Sequence, residues 1–248
     1  MLHKSWIAAA GLLLGSCEQQ PPSPPSALQP SAPEIVRLPD ADPSPFYSPA
    51  ACGPSDSYVA PPIDAIFNYQ LVESDNRPNP ALIQSERIRS ADVHMVTYEE
   101  EMRTPGLPAT GQTEVRQTIA GVLPGESQVR KVRYPALDPA NLLTMKAGEV
   151  VKVPASETST FQEQTRTVEG QYEVTFVGCG RTTELVTGAP NEPVRIYKLV
   201  RFARSAGLNQ DTVRYSEVER LVASRFGWMV LERAPGAMMM LTSSTGLK

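Results

Sequence analysis

The chain has 248 residues, of which 41% are hydrophobic and 20% charged, and its formal net charge is −4. This balance suits a globular protein, and without a block of five or six like charges it excludes a polybasic nucleic-acid surface, a basic membrane patch and an acidic tail. With two histidines and three cysteines in the whole chain, metal and nucleophile chemistry start from a short inventory.

Residues 1–16 open with Lys4 and no acid, run through an almost wholly apolar stretch from Trp6 to Leu14, and end on the small residues Gly15 and Ser16 before Cys17. That is the order of a secretory signal peptide. The apolar run is about half of the roughly 20 residues that a membrane-spanning helix needs, so a permanent transmembrane helix is not expected. Leu14-Gly15-Ser16-Cys17 resembles the lipobox of bacterial lipoproteins. The resemblance implies cleavage before Cys17, a lipid (palmitate-type) anchor on its sulfur, and a domain held at the cell envelope facing the periplasm. Glu18 after the cysteine, where an aspartate would favour inner-membrane retention, slightly favours the outer membrane. Each buried methylene of such an anchor contributes about 0.8 kcal/mol, so several acyl chains hold a soluble domain to a bilayer.

Between Pro21 and Pro62 lie 13 of the 24 prolines, mixed with Ser, Ala and Gln. Such a stretch buries too little apolar surface to offset its ordering entropy, so residues 17–62 are expected to form a disordered or polyproline tether. Residues 63–248 then remain for one β-rich domain, a comfortable length for a single core.

In chain order, the runs Ile63–Val72, Arg87–Glu101, Thr113–Leu123 and Ser127–Tyr134 are rich in β-branched and aromatic residues and read as strands. Asn76–Pro80 and Pro105-Gly106 read as turns between them. A short helix is expected where Asp138 can cap, Pro139 opens the first turn and Gly148 lies just past the end. Leu142, Leu143 and Met145 would form its buried stripe. "GQYEVTFVGCG" alternates Tyr172, Val174 and Phe176 against Glu173 and Thr175, so the first set should face a core. In "PVRIYKLVRFAR" one apolar side is expected to hold Val194, Ile196, Val200 and Phe202, interrupted by Lys198. Thr212 to Phe226 is read as a strand followed by a tight turn into Trp228-Met229-Val230; a helix capped by Asp211 and stopped by Gly227 is the alternative. "GAMMMLTSS" reads as a final edge strand, with Met238 to Met240 as adaptable apolar surface.

The fold class expected from these elements is mainly β, a curved and largely antiparallel sheet or half-barrel with one or two short helices. The order of elements from Leu137 to Arg233 loosely resembles the curved envelope domains of the LolA lipoprotein-carrier type. With Cys17 acylated, Cys52 and Cys179 remain as an even pair in an oxidising compartment and are expected to form a disulfide. Two separate small thiols are the alternative. Closing so long a loop stabilises by on the order of 5 kcal/mol in the chain-entropy model.

The chemistry is sparse. His94 is the single histidine left once residues 1–16 are removed, and no HExxH set, Cys-x-x-Cys, P-loop, dinucleotide fingerprint or G-x-S-x-G elbow is present. "GCGRTTE" (Gly178 to Glu184) lacks the following helix that a phosphate site requires, and reads as a strand with a glycine bulge that lets Cys179 reach its partner. Glu99 to Glu101 read as a solvated strand end, not a calcium loop. Arg195, Arg201, Arg204, Arg214 and Arg220 read as cross-strand partners of acids such as Glu217 and Glu219, not as a basic face. No enzyme activity, cofactor, metal or nucleic-acid partner is expected. The expected role is a membrane-anchored scaffold or accessory subunit that docks on another envelope protein. The alternative is a lipid or hydrophobic-ligand module whose open face is lined by Tyr172, Val174, Phe176, Val194, Ile196 and Val200.

Overall fold

The alternating runs become strands of a single sheet. The structure is a computed structural model and describes residues 35–36, 44–53, 59–73, 78–91, 95–103, 113–118, 122–123, 126–127, 130–134, 139–161, 164–206 and 211–246. In chain order the elements are β1 (Ile35–Val36), β2 (Tyr47–Ala50), β3 (Ile66–Glu73), β4 (Pro78–Ala91), β5 (Met95–Arg103), β6 (Thr113–Thr118), β7 (Glu126–Ser127), β8 (Arg130–Arg133), α1 (Pro139–Thr144), β9 (Val150–Phe161), β10 (Gln164–Thr182), β11 (Pro193–Ala206), β12 (Asp211–Ala223), β13 (Met229–Ala234) and β14 (Ala237–Thr245). The strand order is β7-β6-β5-β4-β3-β14-β13-β12-β11-β10-β9-β8, with β1 beside β12 and β2 beside β10. Every pairing is antiparallel except that of β1. β7 and β8 stand at opposite ends of this order, yet only residues 128–129 separate them in the chain. The open sheet therefore curves until its ends approach each other, in accord with the expected mainly β class.

Directly paired residues share a face of the sheet. Glu86 lies opposite Phe67 and Glu100, Gln84 opposite Tyr69, and Ile88 opposite Tyr98. Across the centre, Leu71 faces Met239, Met239 faces Glu232, and Glu232 faces Arg220. Arg220 then faces Tyr197, and Tyr197 faces Phe176. All these side chains belong to one face, which over β9–β12 is covered by Val122, Leu123, Leu142 of α1 and Met145 just after it. On the other face Leu221 lies opposite Ile196 and Leu231, and packs in a cluster that includes Phe46, Val186 and Val194.

Burial on both faces corrects the one-sided reading of β11. Tyr197 and Leu199 are as buried as Val194 and Ile196, because the helix covers one face and the strap of residues 44–50 with the 183–192 connection covers the other. A strand buried on both faces needs no polar alternation.

Other readings shift for similar reasons. Arg87–Glu101 is not one strand: β4 and β5 pair antiparallel with Ala91 opposite Val96, a hairpin that sets Ile88 against Tyr98 and buries both. Ser127–Tyr134 divides between β7 and β8, so that it supplies both ends of the sheet. β14 is an interior strand, paired with β13 on one side and β3 on the other, which corrects its reading as an edge. Thr212 to Phe226 is strand through Ala223 and then turn; α1 opens at Pro139 as expected but ends at Thr144, with Leu142 on it and Met145 just past it buried, and the expected cap Asp138 lies outside the described residues. The segment read as a tether contributes β1 and β2 to the sheet upstream of Ile63.

One close approach locks the 183–192 connection onto the sheet. The Gly188 amide donates to Leu241 O at 3.1 Å, and a Cβ on Gly188 would lie 2.7 Å from the backbone of Leu241 and Ser243. Gly188→Ala is expected to cost about 1–3 kcal/mol through this overpacking, read as a lower urea midpoint. Gly53→Ala, where nothing lies within 4 Å, should leave the midpoint in place.

Candidate functional site

Cys52 and Cys179 are joined, with their Cα atoms 5.1 Å apart across a sequence separation of 127. The sequence prepares this at β10, where the ladder with β11 slips between Phe176 and Gly178. Gly178 has φ of 151°, a conformation that only glycine adopts without strain. Past the bulge, β2 takes the place beside β10 that β9 occupies earlier, pairing Ala50 with Cys179 and Tyr47 with Thr182. Two further bonds hold the start of this strap: Thr183 N donates to Phe46 O at 2.9 Å, and Thr183 Oγ1 to Pro45 O at 2.7 Å. Cys52 is exposed and Cys179 half-buried. Beside them opens a cleft of about 260 Å³, lined by residues that include Ala51, Gly53, Cys179, Pro193, Arg181 and Arg225.

A second polar constellation lies on the face shared by β3, β4, β5 and β12. Gln84 Nε2 donates to Glu86 Oε1 at 2.7 Å and to Glu100 Oε2 at 3.1 Å. Glu86 is only 4% exposed. Burial, together with the Glu100 charge across the strand, pushes its carboxyl up to about 8. Glu100 is also raised, by burial. Tyr69 donates its hydroxyl to Met229 O at 2.8 Å. Arg220 is bonded to Glu232 and donates to Val122 O at 2.9 Å. Glu86 is thus held neutral at pH 7 and fills its site as a hydrogen-bonding group.

Arg195 shows a third arrangement. Its guanidinium lies 4.2 Å over the Phe176 ring, while its Nε donates to Tyr197 Oη at 2.8 Å and Tyr197 Oη donates to Leu142 O at 3.0 Å. Leu142 O belongs to the last turn of α1, where carbonyl oxygens lack helical partners and a cation is favoured. Ring, phenol and helix end together account for this buried charge.

The other candidates fall as follows. Arg201 pairs with Glu157 and Arg220 with Glu232, while Glu217 pairs with Lys198 and Glu219 with Arg233. Cross-strand pairing is therefore the use of these charges, with partners other than those expected. The side chains of Arg204 and Arg214 lie outside the described residues, as do Cys17 and His94. Glu99 bonds Arg89 and Glu101 bonds Arg103 at the surface, but Glu100 turns inward to Gln84, so the acidic run is not wholly a solvated strand end. Met238 is buried and Met239 and Met240 pack on the core. Tyr172, Val174 and Phe176 pack with α1 on one face, whereas Val194 and Ile196 pack on the other. The six residues offered as a ligand lining therefore do not line one open pocket. Among the described residues no group of three or more His, Cys, Asp or Glu is placed to hold a metal, and no helix is long and apolar enough to cross a membrane. The sequence reading missed Glu86, which only the register opposite Glu100 reveals.

No family model matches the sequence, and no curated protein matches it. Two solved structures share its fold. One is a candidate exported protein with a YmcC-like fold from Bacteroides fragilis, at TM-score 0.50 and 10% identity, covering 76% of this chain and 99% of that one. The other is a candidate lipoprotein from Parabacteroides distasonis, at TM-score 0.51 and 8% identity, covering 76% of this chain and 98% of that one. The likeness is one of fold.

Proposed function

We propose that the protein is an exported, lipid-anchored component of the bacterial cell envelope, and that its β domain serves as a non-enzymatic scaffold or accessory subunit for another envelope protein. Leu14-Gly15-Ser16-Cys17 carries this reading, with acylation of Cys17 holding the chain to the membrane, on the outer membrane by preference, and residues after it spacing the domain from the bilayer. The fold shared with a candidate exported protein and a candidate lipoprotein supports it. So does the Cys52–Cys179 bond, since such bonds persist in oxidising compartments. The lipid-module reading is disfavoured because Tyr172, Val174 and Phe176 are packed under Val122, Leu142 and Met145, which leaves that part of the sheet filled.

In cells fed labelled palmitate, the wild-type chain is expected to carry label and to sediment with membranes. Cys17→Ser should lose the label and most membrane association, because a domain without acyl chains has no comparable hold on lipid. An unlabelled wild-type chain, or a labelled Cys17→Ser chain, would end the anchor reading. In-cell crosslinking of the anchored form, with recovery of one recurrent envelope protein, tests the docking role.

A further inference from the structure

We infer that the Cys52–Cys179 bond is an exchangeable disulfide, open to attack by a protein dithiol from the adjoining cleft, and that its reduction releases residues 44–51 from the edge of β10. Access comes first. Cys52 is exposed, Cys179 is half-buried, and the cleft beside them is walled by Arg181 and Arg225. An attacking thiol reacts as its thiolate, which the two guanidinium groups favour to the extent that Glu192, close enough to act on both, leaves them uncompensated. The dithiol's first sulfur, as thiolate, bonds to Cys179 Sγ, whose residue lines the cleft, while the Cys52–Cys179 bond breaks and the electron pair leaves on Cys52. The second thiol of the donor then displaces Cys179 from the mixed disulfide. Two cysteine thiols form on this chain, and the donor becomes a disulfide.

The strap that the bond retains is lightly held. Pro45 and Pro49 have no N–H to give to the ladder, and Phe46 is its single fully buried apolar side chain among the described residues. Beneath it the seat is imperfect. Ser44 Oγ is buried without a hydrogen bond. Tyr47 sits close enough to Glu219 and Arg233 for both charges to act on its phenol, and the 3.4 Å contact of that pair leaves Glu219 Oε1 and Arg233 Nε buried without hydrogen bonds. The unsatisfied Ser44 Oγ and Arg233 Nε oppose docking. The long ladders of β10 with β11 and of β11 with β12 do not pass through the bridge, so the rest of the sheet keeps its own support when the bond opens.

The test uses the full chain in detergent, without denaturant, with excess dithiothreitol as the dithiol. Both thiols are expected to become titratable while the protein stays folded. The Thr183 amide, which donates to Phe46 O, should then exchange at least about tenfold faster, with the amides of Leu199 and Leu221 unchanged. The double variant Cys52→Ser/Cys179→Ser should show the same exchange pattern without reductant. Arg181→Gln with Arg225→Gln should slow reduction by about threefold or more. Thiols that appear only where denaturant unfolds the whole chain would overturn the proposal. Unchanged Thr183 protection after reduction would do the same for strap release, and an unchanged rate in the arginine variant would do so for the cleft.

Discussion

Glu86→Gln is expected to make the protein more stable at pH 9 while leaving its stability at pH 4 to 5 nearly unchanged. The wild-type carboxyl is raised from 4.5 to about 8, first by burial and then by Glu100 across the strand. An unfolded chain releases this proton near 4.5, whereas the folded chain holds it until about pH 8. Between those values the folded state binds more protons, so stability is fully present below 4.5, declines as pH rises, and levels off above about 8. At about 1.4 kcal/mol per pH unit, the decline reaches on the order of 5 kcal/mol at most. Glu100 shifts in the same direction and adds a smaller decline that the variant retains. The neighbours that face Glu86 are Tyr69, Tyr98, Gln84, Glu100 and Arg220, and the arginine lowers the carboxyl without reversing the shift. Urea unfolding of both proteins across pH 5 to 9 reads the effect directly. Parallel curves for the two would show that Glu86 ionises in the folded protein as readily as in the unfolded one.

Trp228→Ala should be the most damaging single truncation in the core. The indole is 3% exposed, stacked 4.7 Å from Phe67 and edge-on 5.2 Å from Tyr98. It thereby joins β3 and β5 to the turn that leads into β13. Removing it leaves a large void at the meeting point of three elements, and a cost of about 3–5 kcal/mol follows from cavity formation. The midpoint of thermal or urea unfolding measures this. Leu185→Ala, at a residue 53% exposed, is the matched control and should move stability by less than about 0.5 kcal/mol. A Trp228→Ala midpoint as high as the control's would mean that the aromatic cluster is not what fastens these strands.

Much of the fold was legible because its signals are local. Tyr172, Val174 and Phe176 alternate, Pro139 and Gly148 bracket a helix, and Ser224 to Gly227 turn one strand into the next. What was not legible depends on partners distant in sequence. β2 hides in a proline-rich stretch because its ladder belongs to β10, more than a hundred residues away. β14 reads as an edge because nothing in "GAMMMLTSS" records that β3 lies on its far side. The Cys52–Cys179 pair could be anticipated from counting thiols, since so few are present. Glu86 could not. It sits among Gln84, Ser85 and Arg87 in what looks like a solvated stretch, and its burial follows from facing Phe67 and Glu100.

The junction of β14 with β3 also orders events during biogenesis. Ile66–Glu73 leaves the ribosome, and any export channel, long before its neighbour Ala237–Thr245. The early hairpins must wait without this partner until a strand about 160 residues further on emerges, and pairings so far apart in sequence form slowly. A sheet of this design stays unclosed while the chain is still emerging, because the strand that joins its two halves is made long after the first half.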